Sequence, residues 1–184
     1  MLEVLKAIGF TVLFLRFIYW IEFSLHIQEK KWKRVLVAQT VEGCILFFFF
    51  AQFFGNKDPF PINTIWVQYV GFLVTIFGVI LTFLARLQLG SAWVYASAYR
   101  IVKNQPLITT GVYQFIRHPL YTGTVVSYAG AELLAGSWLW IAMLCFSISF
   151  VMQARKEEKI LLNHFGEKYK EYQLRTKMLI PFVL

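Results

Sequence analysis

At 184 residues, with 58% hydrophobic, 18% aromatic and only 15% charged side chains, the chain is too apolar for a soluble domain of its size, whose composition runs near one half apolar and about one quarter charged. The same figures exclude a disordered chain and a collagen, and a disulfide scaffold is excluded because Cys44 and Cys145, the two cysteines, sit in apolar runs where a thiol acts as a small hydrophobe. A formal net charge of +8 in such a chain points to basic loops beside a membrane; no nucleic-acid partner is expected, because the basic residues follow the loops rather than a face of base-stacking aromatics.

A membrane-crossing helix needs roughly 20 mainly apolar residues. Five segments approach that length: 4–25, 35–54, 65–84, 119–135 and 137–153. The first carries Arg16 and Glu22 within a long apolar run and has no small-x-small cleavage site, so it reads as a retained span rather than a signal peptide. The second holds Phe47, Phe48, Phe49 and Phe50 in succession, and residues 56–64, with Pro59 and Pro61, turn the chain into the third. Only Gly136 and Ser137 separate the fourth from the fifth, which predicts a tight helical hairpin. Gly123, Ser127 and Gly130 recur on one face of the fourth, a pattern that admits another helix closely and is expected to help join the preceding loop to the end of the fifth span. Beyond it, Gln153, Glu157, Leu161, Phe165 and Tyr169 share a stripe at helical spacing. The lone acids Glu22, Glu42 and Glu132 read as hydrogen-bonded structural groups or partners of Arg16.

Basic residues fall in three groups: Lys30, Lys31, Lys33 and Arg34; Arg86, Arg100, Lys103 and Arg117; and Arg155, Lys156, Lys159, Lys168, Lys170, Arg175 and Lys177. All of these lie on one side of a five-span arrangement, and only Lys6, Arg16 and Lys57 fall elsewhere. The positive-inside rule then places the N-terminus outside and the C-terminus in the cytoplasm. With no repeat, linker or second domain, the expected fold is all-α: one integral membrane helical bundle over residues 1–184, with three spans in 1–85 and, in 86–184, a cytoplasmic loop, two further spans and an amphipathic C-terminal helix. Nothing in the sequence sets an oligomeric state.

The chemistry is expected after the third span. The loop 86–119 is long, and its Trp93, Tyr95, Tyr99, Tyr113 and Phe115 argue for order. It ends in Arg117-His118-Pro119-Leu120-Tyr121. Pro119 suits the first turn of a helix, so Arg117 and His118 stand at a helix N-terminus, whose N–H groups and partial positive charge favour an anionic or polar ligand group. The alternative makes Arg117 a membrane anchor and His118 a cap. Glu157 and Glu158 emerge from the fifth span at membrane depth, where ionisable groups mark function. The alternative for them is a surface helix with i,i+4 charge pairs, which suits Glu167 and Glu171 better. There is no G-x-G-x-x-G after a strand, Walker loop, H-E-x-x-H or C-x-x-C, and the three histidines His26, His118 and His164 are spread along the chain, so no metal site is expected.

The turn Gly111-Val112-Tyr113, then Arg117-His118-Pro119-x-Tyr121-x-Gly123, Glu157-Glu158 and Phe165-Gly166-x-x-Tyr169-x-x-Tyr172, resembles the isoprenylcysteine carboxyl methyltransferase family, which includes phospholipid methyltransferase relatives. The likeness begins at Leu89 and covers about the C-terminal half. It implies an integral membrane enzyme that transfers a methyl group from S-adenosyl-L-methionine to a lipophilic small-molecule or lipidated acceptor among membrane lipids. It further implies a cofactor pocket formed by Gln105, Pro106, Leu107, Ile108 and Tyr113, walled by His118, Pro119, Leu120 and Tyr121 and reached by Glu157. Arg117, Arg155 and Glu158 would act at the reacting centre, with Gln153 and Trp93 against the acceptor. Family members that methylate a prenylcysteine carboxylate carry an Arg four residues before the glutamate matching Glu157; Gln153 stands there in this chain, which implies a different acceptor group. Two other classes are an NADPH-dependent membrane reductase of the sterol reductase type and a non-catalytic membrane scaffold.

Overall fold

The computed structural model describes residues 1–25, 32–55, 61–62, 64–90 and 106–180, and among these the architecture is all-α. Six α-helices run in order: α1 (Leu2–Leu25), α2 (Trp32–Gly55), α3 (Ile65–Leu89), α4 (Pro119–Ala135), α5 (Trp140–Phe165) and α6 (Glu167–Arg175), with a 3-10 turn at Gly111–Gln114 ahead of α4. By length and composition, α3 is the helix among the described residues that is long and apolar enough to cross a membrane, and Thr40–Gln52 in α2 is a shorter apolar stretch.

The first four helices form where the apolar runs predict them. The fifth differs at both ends. Gly136 adopts a left-handed φ of 78°, and the Ser137 hydroxyl accepts a hydrogen bond from the Leu139 N–H at 3.1 Å, so the turn extends and α5 starts at Trp140. At its other end α5 runs well past Gln153 to Phe165, because residues 154–165 hold straight-chain helix formers and no Gly or Pro. Gly166, at φ 57°, then redirects the chain into α6. The stripe expected from Gln153 to Tyr169 is therefore split: Gln153 and Glu157 lie on α5, and Tyr169 lies on α6.

The principal helix contact joins α3 and α4. The small face of α4 does admit a close neighbour, and that neighbour is α3 rather than the loop or the end of α5 as the sequence predicts. Gly71, Thr75, Gly78 and Thr82 are buried on α3 and meet Gly123, Ser127 and Gly130 of α4. A Cβ on Gly78 would strike the backbone of Ser127, and one on Gly130 the backbone of Thr75. The Thr75 and Thr82 hydroxyls donate within α3, to the carbonyls of Gly71 at 2.8 Å and Gly78 at 2.9 Å, so the seam leaves neither hydroxyl unpaired. Where both faces would otherwise meet apolar surroundings, such backbone approach gives the dispersion contact that holds helices together.

Around this pair, Leu13 of α1, Leu46 and Phe49 of α2 and Tyr128, Ala131 and Leu134 of α4 form the apolar core. A polar cluster crosses it. One guanidinium nitrogen of Arg16 donates to Glu42 at 2.7 Å and to the Tyr128 hydroxyl at 3.1 Å, the other donates to Thr124 at 3.0 Å, and Tyr128 donates to Glu42 at 2.7 Å. Gln52 donates to Glu132 at 3.2 Å. Glu42 and Glu132 thus have the structural pairing expected of them, while the Glu22 side chain lies outside the described residues.

The connections sort to the two ends of the helices. The Ile62 N–H bonds to the Gly136 carbonyl, so the entry to α3 meets the α4–α5 turn. At the opposite end Gln88 of α3 accepts the Val112 N–H at 2.9 Å and the Tyr113 hydroxyl donates to the Ala85 carbonyl at 3.4 Å, which ties the end of α3 to the turn that leads into α4. His118 lies at this second end.

Candidate active site

Pro119 occupies the first turn of α4, where its missing N–H is no loss, and leaves His118 in the capping position. The N–H groups of Arg117 and His118, just ahead of α4, are taken by the C-terminal segment. Arg117 donates its N–H to the Lys177 carbonyl at 2.8 Å, His118 donates to Met178 at 3.0 Å, and Lys177 donates back to Phe115 at 3.3 Å. The Thr122 hydroxyl donates to the Leu179 carbonyl at 2.7 Å, and Leu179 packs with Tyr121 and Ala154. Residues 176–179 therefore strap the start of α4.

Arg117 braces the same junction. Its Nε donates to Glu158 at 2.5 Å, and one of its terminal nitrogens donates to the Gln173 carbonyl at 3.3 Å and to the Thr176 carbonyl. Glu158 also accepts from Gln173 at 3.2 Å. These bonds join the loop, α5, α6 and the strap, and make Arg117 and Glu158 a brace at the edge of the cluster.

The His118 ring stacks on Tyr121 at 5.5 Å and 10°. Its Nδ1 lies 3.5 Å from Glu157 and its Nε2 3.4 Å from Glu158. Gln153 donates to the Tyr121 hydroxyl at 3.1 Å, and Tyr121 donates to Glu157 at 2.6 Å. The chain has one sense, because an amide N–H can only donate and a carboxylate can only accept. Phe150 covers the far side of Tyr121, with ring centroids 5.1 Å apart. Burial pulls the His118 pKa down, but hydrogen bonds and charge from Glu157 and Glu158 outweigh it and hold the imidazole above its ordinary value. Burial works to raise the Glu158 pKa, yet His118 and Arg117 hold that carboxyl below its ordinary value. Tyr113 is pushed up by burial first, then by the negative field of Tyr172 and Glu157, which places the turn within electrostatic reach of the cluster.

The structure thus brings together His118, Tyr121, Gln153, Glu157, Glu158 and Arg117. Pro119 is buried beside them and Leu120 follows on α4, while Pro106, Leu107 and Ile108 lie in the irregular segment leading into the 3-10 turn. Arg155 is not part of the group. It is exposed, because two residues along a helix turn a side chain by about 200° from the face of Gln153 and Glu157. Trp93 and Gln105 lie outside the described residues. Sequence reasoning missed Gln173 and Thr176 and gave Tyr172, part of the quoted motif, no role of its own; the signal was the inward face of α6, on which Tyr169, Tyr172 and Gln173 recur at three and four residues, with Thr176 at its cap. Tyr172 donates to the Tyr113 carbonyl at 2.6 Å and clamps the turn. A separate cavity of about 340 Å³, lined by Thr40, Cys44, Phe48, Phe49, Glu132 and Met143 among others, lies at the other end of α4 and holds none of these residues.

Two carboxylates beside stacked aromatic rings form a site suited to a cationic group, since both carboxylate charge and ring faces attract cations. Comparisons with known proteins find methyltransferases. The chain is 30% identical over 103 residues, 54% of its length, to a protein-S-isoprenylcysteine O-methyltransferase of Schizosaccharomyces pombe, of which the match covers 43%. It is 37% identical over 71 residues to methanethiol S-methyltransferase 1 of Bradyrhizobium diazoefficiens, covering 39% of this chain and 25% of that one. A solved structure of a eukaryotic intramembrane Ras methyltransferase, isoprenylcysteine carboxyl methyltransferase, superposes with a TM-score of 0.61 at 26% identity, over 85% of this chain and 55% of that one. The chain therefore spans little more than half, or less, of each of these relatives. The family model for phospholipid methyltransferase matches residues 66–168, which run from α3 to the start of α6 and include His118, Tyr121, Gln153, Glu157 and Glu158, and the chain belongs to that family.

Proposed function

We propose that this protein is an integral membrane methyltransferase that takes S-adenosylmethionine at the His118, Tyr121, Glu157 and Glu158 cluster and methylates a lipophilic acceptor. The observation that carries the reading is the acidic pair set against stacked aromatic rings within the matched region, at the end of the helices where α3, α4 and α5 meet the strap. The named methyltransferase activity of the relatives supports it. The residues present also fit such a cofactor: the Tyr169 hydroxyl is a buried polar atom with no hydrogen-bond partner among the described residues.

In this reading Glu157 and His118 hold the polar parts of the cofactor, while Tyr113, Pro106, Leu107, Ile108 and Gln105 line it from the loop and Pro119, Leu120 and Tyr121 from α4. The cofactor supplies an electrophilic methyl group when bound. The protein contributes alignment and a dry enclosure, the main requirements of an in-line displacement. Arg117 and Glu158 keep His118 in place. Gln153, with Trp93, meets the acceptor; its amide carries no charge, so it favours an uncharged thiol, amine or hydroxyl over a carboxylate, which a guanidinium would grip. Arg155 has no role. The arrangement in the bilayer is five spans with the N-terminus outside and the site facing the cytoplasm, which lets a soluble cofactor and a membrane-borne acceptor reach one place.

The test is purified protein in nanodiscs given radiolabelled S-adenosylmethionine with a farnesylcysteine analogue, a lipophilic thiol, an amine or a phenol. Label in the uncharged acceptors is expected. Efficient labelling of the carboxylate by wild type, with no gain from Gln153→Arg, would overturn the acceptor assignment. Absence of transfer together with absence of S-adenosylhomocysteine binding would overturn the function.

A further inference from the structure

Two tyrosines of α6 pack edge to face, with ring centroids 5.9 Å apart, and both are buried. They differ in one respect. Tyr172 donates its hydroxyl to the Tyr113 carbonyl at 2.6 Å, whereas the hydroxyl of Tyr169, a residue only 1% exposed, has no hydrogen-bond partner among the described residues. A buried hydroxyl without a partner is destabilising, and native proteins rarely keep one without a use for it. Burial by itself does not explain the residue, because a phenylalanine fills the same volume without the penalty.

The position of Tyr169 gives the use. It sits one turn before Gln173 on the inward face of α6, and Gln173 touches both members of the brace, donating to Glu158 and accepting from Arg117. The charges of Glu158, Arg117 and Glu157 all act on the Tyr169 hydroxyl, so it belongs to the same electrostatic neighbourhood as the cluster without bonding to it. Burial first, and then these carboxylates, keep it protonated, which leaves it a hydrogen-bond donor.

We infer that Tyr169 is a further ligand-binding residue, whose hydroxyl donates a hydrogen bond to an oxygen of the bound cofactor, making α6 part of the cofactor site. The inference rests on the proposal that the cluster takes S-adenosylmethionine. Two kinds of oxygen present the same acceptor chemistry: the carboxylate of the amino-acid portion and the ribose hydroxyls.

The test uses the full chain in detergent, with S-adenosylhomocysteine titrated by calorimetry and thermal unfolding followed with and without it. Tyr169→Phe is expected to melt, unliganded, no lower than wild type, because it removes an unpaired buried hydroxyl. It is expected to bind S-adenosylhomocysteine about tenfold or more weakly and to gain less from the ligand on melting. Tyr172→Phe, which loses a bond to Tyr113, should instead melt lower. Methylthioadenosine, which keeps the ribose and lacks the amino acid, separates the two oxygens: equal affinity in wild type and Tyr169→Phe assigns the carboxylate, and a retained loss assigns the ribose. Unchanged S-adenosylhomocysteine affinity in Tyr169→Phe would overturn the inference while leaving the cofactor proposal standing. A wild type that binds no S-adenosylhomocysteine would overturn the cofactor proposal and this inference with it.

Discussion

His118 sets the charge balance of the site, since it lies between Glu157 and Glu158 with Arg117 bonded to the second of them. Its pKa in the folded protein is above the ordinary value, so its contribution to stability is complete below that ordinary value and is lost as pH rises through the raised one. Glu158 behaves oppositely: its pKa is held down, so its contribution is present above the ordinary carboxylate value and is lost as pH falls through the lowered one. Thermal unfolding of the unliganded protein should therefore show a plateau with an alkaline fall that belongs to His118. His118→Gln is expected to start lower and to flatten that fall; an alkaline fall of the same size in the variant would assign it to another group. At the same scale, Glu157→Ala should weaken S-adenosylhomocysteine binding about tenfold or more, the loss of a hydrogen bond to a charged group, whereas Glu171→Ala, whose side chain is 68% exposed and 3.8 Å from Arg175, should change it little. Calorimetry on both variants decides, and equal affinities would remove Glu157 from the site. His118, Glu157 and Glu158 were legible from the sequence because ionisable groups beside apolar runs stand out locally. That Arg155 turns away from Gln153 and Glu157 was legible too, from helix geometry; that Arg117 braces was not, since it depends on which distant segments return to it.

Among the elements, the α3–α4 seam tolerates no added carbon at Gly78, while a Cβ on Gly43 of α2 would meet Phe17 at 3.4 Å, an ordinary contact. The same substitution should thus have opposite signs at the two sites. Gly43→Ala is expected to be neutral or stabilising by up to about 1 kcal/mol, the helix-propensity gain, and Gly78→Ala to destabilise by about 1–3 kcal/mol through overpacking. Equal melting of the two variants would mean that the helices can separate without loss. The Arg16–Glu42 pair links α1 to α2 with side-chain exposures of only 7% and 13%. Removing one partner leaves a buried charge, so Glu42→Ala should cost about 3–5 kcal/mol, and the double variant Arg16→Met, Glu42→Leu should recover most of that. A double variant as unstable as the single one would show that the pair is worth more than its desolvation. Half of the seam was legible, as the small face of α4. Its partner was not, because a stripe of small residues says that a helix approaches and does not say which.

For the whole molecule, the bond between Ile62 and Gly136 puts the entry to α3 and the α4–α5 turn at one end, and the strap puts Lys177 with Arg117 and His118 at the other. Of the basic residues that the sequence reading places on one side, Arg117 and Lys177 lie at this second end. The five-span proposal then requires the two ends to face opposite sides of the membrane. In a chain with Cys44 and Cys145 replaced by Ser, an impermeant maleimide should label Trp138→Cys from outside and Lys170→Cys only after the membrane is opened. Labelling of both from the same side would sink that arrangement.

The sequence by itself determined the helical class, the helix positions to within a few residues over α1 to α4, and the two stretches that meet in the acidic and aromatic cluster, 117–121 and 157–158. These are local properties, since apolar run length, helical spacing and charges beside apolar segments are all written within a few turns of chain. Only the tertiary structure decided that α3 is the partner of the small face of α4, that residues 176–179 take the N–H groups ahead of α4, and that Tyr172 is satisfied where Tyr169 is not. Each of those turns on which groups far apart in the chain come within hydrogen-bonding or van der Waals distance, and a contact of that kind leaves no periodicity for a single sequence to display.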